Sequence, residues 1–178
     1  METKFKSTNS KIALLTVMTA LTVVTNLIMV PMPQPLAEYD LSPVMIYSLG
    51  ILMDPLLALI SIALAMGIGV GYKVALYGFP PIFIIGAMLV RGLEAGLISY
   101  LVRWREQKEV KTITISEIAA MVIGAVWETV GFYSLDWYLF GPGLAQIDLL
   151  TIVDVVFIPI AVAVVALVRR SYKVMKLT

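Results

Sequence analysis

The stretch KIALLTVMTALTVVTNLIMV, residues 11–30, carries no charged side chain after Lys11. A helix needs about 20 mostly apolar residues to cross the hydrocarbon core of a bilayer, and this stretch has that length. It is followed by Pro31-Met32-Pro33, and proline cannot continue a helix. The stretch therefore predicts a membrane-spanning helix, and it sets the fold class of the chain.

The composition of the whole chain agrees with that prediction. Of the 178 residues, 60% are hydrophobic and 14% are charged, whereas soluble domains average about 45–50% and about 25%. We expect an all-α integral membrane protein with a single transmembrane domain over residues 1–178. The polar start leads into the first apolar segment without an obvious cleavage site, so we expect that segment to be retained.

Six apolar segments predict a compact bundle of six transmembrane helices. Proline and glycine clusters, together with charged loops, separate these segments. The second and third are individually short, because Asp54-Pro55 interrupts them. The predicted spans are residues 11–30, 41–53, 55–71, 80–103, 114–134 and 147–170.

The positions of the basic residues predict the orientation. Eleven of the 13 Lys and Arg residues lie in three segments, namely the N-terminal segment up to Lys11, the segment Arg103–Lys111 and the C-terminal segment from Arg169 onwards. Six spans place those three segments on one side, and basic residues concentrate on the cytoplasmic side. Both termini are therefore predicted to be cytoplasmic. The two remaining basic residues are Lys73 and Arg91.

Several kinds of chemistry are excluded by the residue types present. The chain has no cysteine and no histidine, so it lacks thiol ligands and the commonest metal ligand. GIGVGY, residues 67–72, lacks the Lys-Ser/Thr of a phosphate loop and is interpreted as close helix packing with a flexible exit. We expect no catalytic residue, metal, cofactor or nucleic-acid partner, and any step driven by ATP requires other subunits.

Ionisable residues inside the predicted spans are the strongest functional signal. Such residues are costly in lipid and usually face the protein interior or a wet cavity. Arg91 and Glu94 are three residues apart on one face, so they can pair with each other or face a ligand. Glu128 and Asp154 lie in the outer halves of spans 5 and 6 without an obvious local counter-charge. Glu117 lies near the cytoplasmic start of span 5 and is expected to reach the interface.

Aromatic residues surround the same outer level. Trp137 and Tyr138 are typical of an interfacial belt. Trp127 lies deeper and directly precedes Glu128, and an aromatic ring beside a carboxylate suits a flat heterocyclic ligand. In the first span, Thr16 and Ala20 have the spacing of small residues that let two helices approach closely, either within the bundle or at a partner.

Several segments, in this order and spacing, resemble one family of transport proteins. They are Pro31-Met32-Pro33, DLSPVMIYSLGILMDPLLALI (Asp40–Ile60), VRGLEAGLISYLVR (Val90–Arg103) and WYLFGPGLAQ (Trp137–Gln146). Over nearly its whole length the chain resembles a substrate-binding S component of an energy-coupling factor (ECF) vitamin transporter.

The resemblance implies a function without enzymatic activity. An S component lies in the prokaryotic cell membrane and binds a water-soluble vitamin or precursor from outside, under the loop between spans 1 and 2. It docks through span 1 on a transmembrane T component, and two ATPase subunits use ATP. By position, the expected substrate-binding residues are Tyr39, Asp40, Tyr47, Arg91, Glu94, Trp127, Glu128, Tyr133 and Asp154. The expected docking residues are Ala13, Thr16 and Ala20, with Thr16 in place of an alanine of the family's docking pair.

The resemblance leaves the substrate open. Residues 31–60 are most similar to the riboflavin-binding type, whereas Glu128 and Asp154 beside Trp127 suit an amine-bearing heterocycle such as thiamine or a pyrimidine precursor. The biotin type's loop sequence is absent, and the nickel and cobalt type needs histidine. The alternatives from other classes are a structural membrane scaffold and an intramembrane enzyme that uses Glu94 and Glu128.

Overall fold

The computed structural model describes residues 8–30, 39–104 and 113–175. In chain order the elements are α1 (Thr8–Leu27), β1 (Met29–Val30), β2 (Tyr39–Asp40), α2 (Ser42–Leu52), α3 (Pro55–Tyr77), α4 (Ile82–Trp104), α5 (Ile115–Phe140), α6 (Pro142–Asp148), a 3₁₀ helix (Leu149–Phe157) and α7 (Ile158–Met175). Apart from one antiparallel pair of two-residue strands, the regular structure of these ranges is helical. The all-α prediction is confirmed.

Four helical segments are long and apolar enough to cross a membrane, which confirms a multi-pass membrane protein. They are Pro55–Tyr77, Ile82–Trp104, Ile115–Phe140 and Pro142–Arg170, the last of which includes α6, the 3₁₀ helix and most of α7. Leu15–Leu27 and Ser42–Leu52 are apolar but shorter. The count of six spans and the cytoplasmic position of both termini stay predictions.

Helices α3 and α5 extend beyond their predicted ends at residues 71 and 134. Residues 67–72 remain helical, so the predicted flexible exit is wrong. Gly69 lies so close to the Asn26 side chain of α1 that a Cβ atom would not fit, and the glycines therefore serve helix packing. Helix α3 ends only at Gly78, whose φ of 71° is the left-handed conformation that favours glycine.

The predicted sixth span is a helix of two parts rather than one continuous helix. Pro159 lies in the first turn of α7 and has no amide hydrogen to donate to the Val155 carbonyl, so an α-helix cannot pass regularly through this point. The chain before it forms the 3₁₀ helix, which carries Asp154. The predicted span over residues 147–170 lies within the helical segment Pro142–Arg170, and the helix type changes inside it at Ile158.

Helix α2 is enclosed by the bundle. Every residue from Ser42 to Ile51 is buried, and the helix contacts α1, α3, α4, α5, α7 and the 3₁₀ helix. A helix that is apolar on all sides belongs in an interior. Its side chains divide the core into two clusters: Ile46 and Leu49 pack towards α1 and α3, whereas Tyr47 and Ile51 pack towards α5 and α7.

An ion pair at the predicted cytoplasmic end joins α5 to α7. Thr114 and Glu117 form a capping box, in which the Thr114 amide donates to the Glu117 carboxylate at 2.8 Å. Arg169 of α7 pairs with the same carboxylate, and Glu117 is fully buried. The expectation that Glu117 reaches the interface is therefore wrong, because Arg169 covers it.

We predict that Gly50→Ala destabilises the bundle. A Cβ at this position would lie 2.8 Å from the Cβ and Cγ2 atoms of Ile98 and 3.2 Å from the Ala95 carbonyl oxygen, in a fully packed region. Overpacking of this kind costs about 1–3 kcal/mol, and each kcal/mol lowers the melting temperature by about 2–4 °C at this size. Thermal unfolding in detergent measures the change. Gly143→Ala is the matched control, because a Cβ there meets nothing within 4 Å; equal losses in both variants would contradict the packing argument.

Candidate functional site

Arg91 of α4 lies at the centre of a buried polar network. Its Nε donates to Glu128 Oε1 of α5 at 2.7 Å, and its Nη1 donates to Ser42 Oγ at 2.7 Å. The same Nη1 lies 3.4 Å from Asp40 Oδ2. The guanidinium also lies 5.8 Å from the centre of the Phe132 ring, where it makes a cation–π contact. Arg91 therefore joins α4 to α5 and to the start of α2.

Asp40 accepts more hydrogen bonds than any other side chain of this network. Lys73 Nζ donates to it at 3.0 Å, Asn26 Nδ2 at 2.8 Å, and the Ser42 amide at 2.8 Å, while the Ser42 hydroxyl donates to the same carboxylate. Strand β2 holds the Asp40 backbone by pairing it with Met29. The carboxylate thus ties the segment after α1 to α1, α3 and α4.

Charge keeps Asp40 ionised despite its burial. Burial raises the pKa of this carboxyl, but Arg91 and Lys73, with the hydrogen bonds from Ser42, outweigh that effect and hold the pKa below its usual value. Asp40 is therefore an anion at neutral pH, and it neutralises part of the charge of two buried cations. Removing it would leave those cations without this counter-ion.

A second set of buried polar groups adjoins Glu128, and we call it the acidic group: Tyr47, Glu94, Glu128 and Asp154. The Asp154 carboxyl lies close to the Glu128 carboxyl. Tyr47 is close enough to all three carboxyls to interact with them electrostatically, and Glu94 interacts in the same way with Glu128 and Asp154. Seven side-chain oxygen atoms are thus contributed by α2, α4, α5 and the 3₁₀ helix, and five of them lack a hydrogen-bond partner among the described residues. These five atoms are the Tyr47 hydroxyl, both Glu94 oxygens, Glu128 Oε2 and Asp154 Oδ1.

The structure gives the partners of Arg91, which the sequence left open, and a counter-charge for Glu128. Arg91 and Glu94 share a face of α4, but the Arg91 hydrogen bonds go to Glu128, Ser42 and Asp40, and Glu94 accepts none. Glu128 is not without a counter-charge, because Arg91 reaches it from the neighbouring helix. Local spacing therefore identified charged side chains but not their partners.

Three of the predicted binding residues lie apart from the acidic group. Trp127 donates from Nε1 to the Val90 carbonyl at 3.1 Å and lines an apolar groove on the outside of α3 and α4, with 39% of its surface exposed. Tyr133 packs on Trp137 with ring centroids 5.5 Å apart. Tyr39 lies in β2, where it is paired with Val30. The Pro31-Met32-Pro33 loop lies outside the described residues.

Several residues of the network were missed in the sequence. They are Asn26, Ser42, Lys73 and Phe132. Lys73 gave a signal, because it is one of only two basic residues outside the three basic segments. Because it follows the predicted end of span 3, Lys73 was not predicted to lie inside the bundle, whereas in the structure it is a buried residue of α3.

The predicted docking residues lie on the outer face of α1. Ala13, Thr16 and Ala20 are exposed, and the Thr16 hydroxyl donates to the Ile12 carbonyl of its own helix at 3.0 Å. The opposite face of α1 packs on α3, where Thr19 and Ser61 are hydrogen-bonded at 3.1 Å. The outer face is therefore not used for packing within the described bundle, and its role in docking stays a prediction.

We predict that Asp40→Asn lowers the folding stability at neutral pH and makes that stability less dependent on pH in the acidic range. Because the folded-state pKa of Asp40 lies below its ordinary value of 3.8, its stabilisation is present above that value and is lost as pH falls through the folded pKa. The melting temperature of detergent-solubilised protein, measured between pH 7 and pH 3, should therefore differ most between wild type and variant at pH 7. A difference that grows towards pH 3 would contradict this role.

The match to known proteins covers almost the entire chain. The model of a family described as "ECF transporter, substrate-specific component" matches residues 10–172. Searches of curated proteins and of solved structures found no significant match. The matched range includes all the residues of the network around Arg91 and of the acidic group. The chain therefore belongs to the family of substrate-specific components of ECF transporters.

Proposed function

We propose that this protein is the high-affinity subunit that binds a water-soluble vitamin or vitamin precursor for uptake through an ECF transporter. The substrate is a heterocycle of the riboflavin kind or of the thiamine and pyrimidine kind. A transmembrane T component and two ATPase subunits complete the transporter in the prokaryotic cell membrane. The observation that carries the proposal is the acidic group, buried inside an apolar bundle that belongs to this family.

The cost of the acidic group favours binding over a purely structural role. Buried polar groups without hydrogen bonds destabilise a protein, and carboxylates inside a membrane are costlier still. Glu94 is fully buried and accepts no hydrogen bond from the described residues. A scaffold protein would gain stability from an apolar residue there, whereas a binding protein gains acceptors for its ligand.

The location of the acidic group also fits a ligand that arrives from outside. With cytoplasmic termini, α1 runs outwards, and the β1–β2 pair lies at the outer end of the bundle. Asp40 follows the segment between the two strands and is linked through Arg91 to Glu128. Asp40 and the acidic group thus lie at two ends of one polar network. The ligand would contact Tyr39, Trp127 and Tyr133 only if it or the outer segments extended to these residues.

Mass spectrometry of small molecules released from the purified protein tests the proposal most directly. We expect a vitamin-like heterocycle at close to one molecule per protein after denaturation, because S components bind tightly. Empty lipid nanodiscs carried through the same purification are the control. A structural scaffold would release nothing beyond lipid, and that result would contradict the proposed function.

We predict that Ala20→Trp abolishes uptake but leaves binding intact. The bulky ring would prevent close approach of a partner helix on the outer face of α1, where Ala20 is exposed. Uptake of the labelled molecule identified above is measured in cells that also express the T component and ATPase subunits. Binding is measured on the purified variant by calorimetry.

The control for this variant is Ala163→Trp, an equally large change at an exposed alanine of α7, which does not pack on α1. We expect it to retain uptake. Normal uptake by Ala20→Trp, or equal loss in both variants, would contradict docking through α1.

A further inference from the structure

The buried charges around Arg91 do not balance. Four carboxylates lie in the network and the acidic group, namely Asp40, Glu94, Glu128 and Asp154, and two cations, Lys73 and Arg91, lie among them. If all are ionised, the difference is two negative charges. A net charge of this size is unfavourable in a medium of low dielectric constant unless something neutralises it.

Both cations already form ion pairs with carboxylates of the network. Lys73 pairs with Asp40, and Arg91 pairs with Asp40 and Glu128. When all four carboxyls are ionised, the excess negative charge therefore falls on Glu94 and Asp154. Arg103 and Arg169 pair with Asp54 and Glu117 near the opposite end of the helices, so among the described residues they do not neutralise this excess.

The unpartnered atoms point to a ligand that donates hydrogen bonds. Both Glu94 oxygens, Glu128 Oε2, Asp154 Oδ1 and the Tyr47 hydroxyl are buried and without a partner. Four of these five atoms are carboxyl oxygens, which in the ionised state accept hydrogen bonds and cannot donate them. The fifth is a hydroxyl, which can both accept and donate. They come from four different elements, so one small molecule among them would touch α2, α4, α5 and the 3₁₀ helix together.

Protonation of Glu94 and Asp154 would cancel the excess charge of the ligand-free bundle, but it would not supply hydrogen bonds to the buried oxygens. Neither oxygen of Glu94 has a hydrogen-bond partner among the described residues, whether the group is protonated or ionised. Metal binding is not supported either, because within the described ranges no group of three or more Asp and Glu side chains could hold a metal ion. A neutral heterocycle would leave the charge excess in place, and an anionic one would increase it.

We propose that the substrate is a cationic nitrogen compound with several N–H donors, such as an amidinium, a guanidinium or a protonated aminopyrimidine. Glu94 and Asp154 are its counter-ions, and Glu128 Oε2 and the Tyr47 hydroxyl provide further hydrogen bonds. This inference rests on the proposed function, and it selects the amine-bearing substrate class over the neutral riboflavin class. Charge-assisted hydrogen bonds to carboxylates are the strongest available to such a ligand.

The experiment compares wild type with Glu94→Gln and Asp154→Asn. Each protein, in nanodiscs, is incubated with a water-soluble metabolite extract at pH 7, washed and denatured, and the released molecules are identified by mass spectrometry. We expect wild type to enrich a molecule that is positively charged at pH 7. Calorimetry with that molecule should then show affinities lower by about 10- to 100-fold in each variant.

Two controls separate lost binding from lost folding. Asp54→Asn removes an acidic charge that pairs with Arg103, away from the acidic group, and should bind like wild type. The melting temperature of ligand-free Glu94→Gln should equal or exceed that of wild type, because the change removes an unpaired buried charge without altering side-chain volume. A lower affinity together with an unchanged or higher melting temperature is the signature of a counter-ion to the ligand.

The outcomes distinguish this inference from the proposed function. Enrichment of a neutral or anionic vitamin would overturn the cationic substrate class and leave the proposed function standing. A cation that binds both variants as tightly as wild type would also overturn it. Enrichment of no molecule would overturn both, because a binding subunit must retain its substrate.

Discussion

The buried guanidinium of Arg91 is the interaction on which the rest of the bundle depends. A cation inside the membrane must be paired, because the protein interior screens its charge weakly. Its counter-ions, Asp40 and Glu128, belong to segments 88 residues apart in the chain, and Arg91 itself lies on a third. Packing α4 against α5 and against the start of α2 is therefore required electrostatically as well as by apolar contact. Lipid cannot replace these partners, so the helices cannot separate there without leaving a bare charge.

The same constraint explains why a helix of 11 residues can occupy the centre of the bundle. Helix α2 is too short to gain much from its own backbone hydrogen bonds, but its start is held by the contacts of Ser42 with Asp40 and Arg91. From that fixed point the helix carries Tyr47 inwards to the carboxyls of α4, α5 and the 3₁₀ helix. The position of the candidate site thus follows from how α2 is anchored.

Much of the fold class and part of the site could be predicted from the sequence, for different physical reasons. Apolar length alone identifies membrane helices, and the cost of intramembrane charge identifies Arg91, Glu94, Glu128 and Asp154 as exceptional. Partner choice depends on packing between helices, so the three-residue spacing of Arg91 and Glu94 left the partner of Arg91 open, and the structure places Glu128 there. Trp127 illustrates a geometric limit: neighbouring residues of a helix point in directions about 100° apart, so it and Glu128 face different surroundings. Lys73 was missed because glycines that permit close packing resemble the end of a helix in sequence.

Glu128 belongs both to the network around Arg91 and to the acidic group, so a change of charge in one of them affects the other. Its Oε1 accepts from Arg91, while its Oε2 is among the unpartnered atoms of the acidic group. Positive charge near Oε2 weakens the attraction between Glu128 and Arg91, since the carboxylate then shares its charge between two cations. Arg91 also contacts Asp40, which directly follows the segment between the strands, so a change at Glu128 alters the electrostatic hold on the outer end of the bundle. Charge at the acidic group and the electrostatic hold on Asp40 are therefore linked through Glu128 and Arg91, without any need for a direct contact between Asp40 and the acidic group.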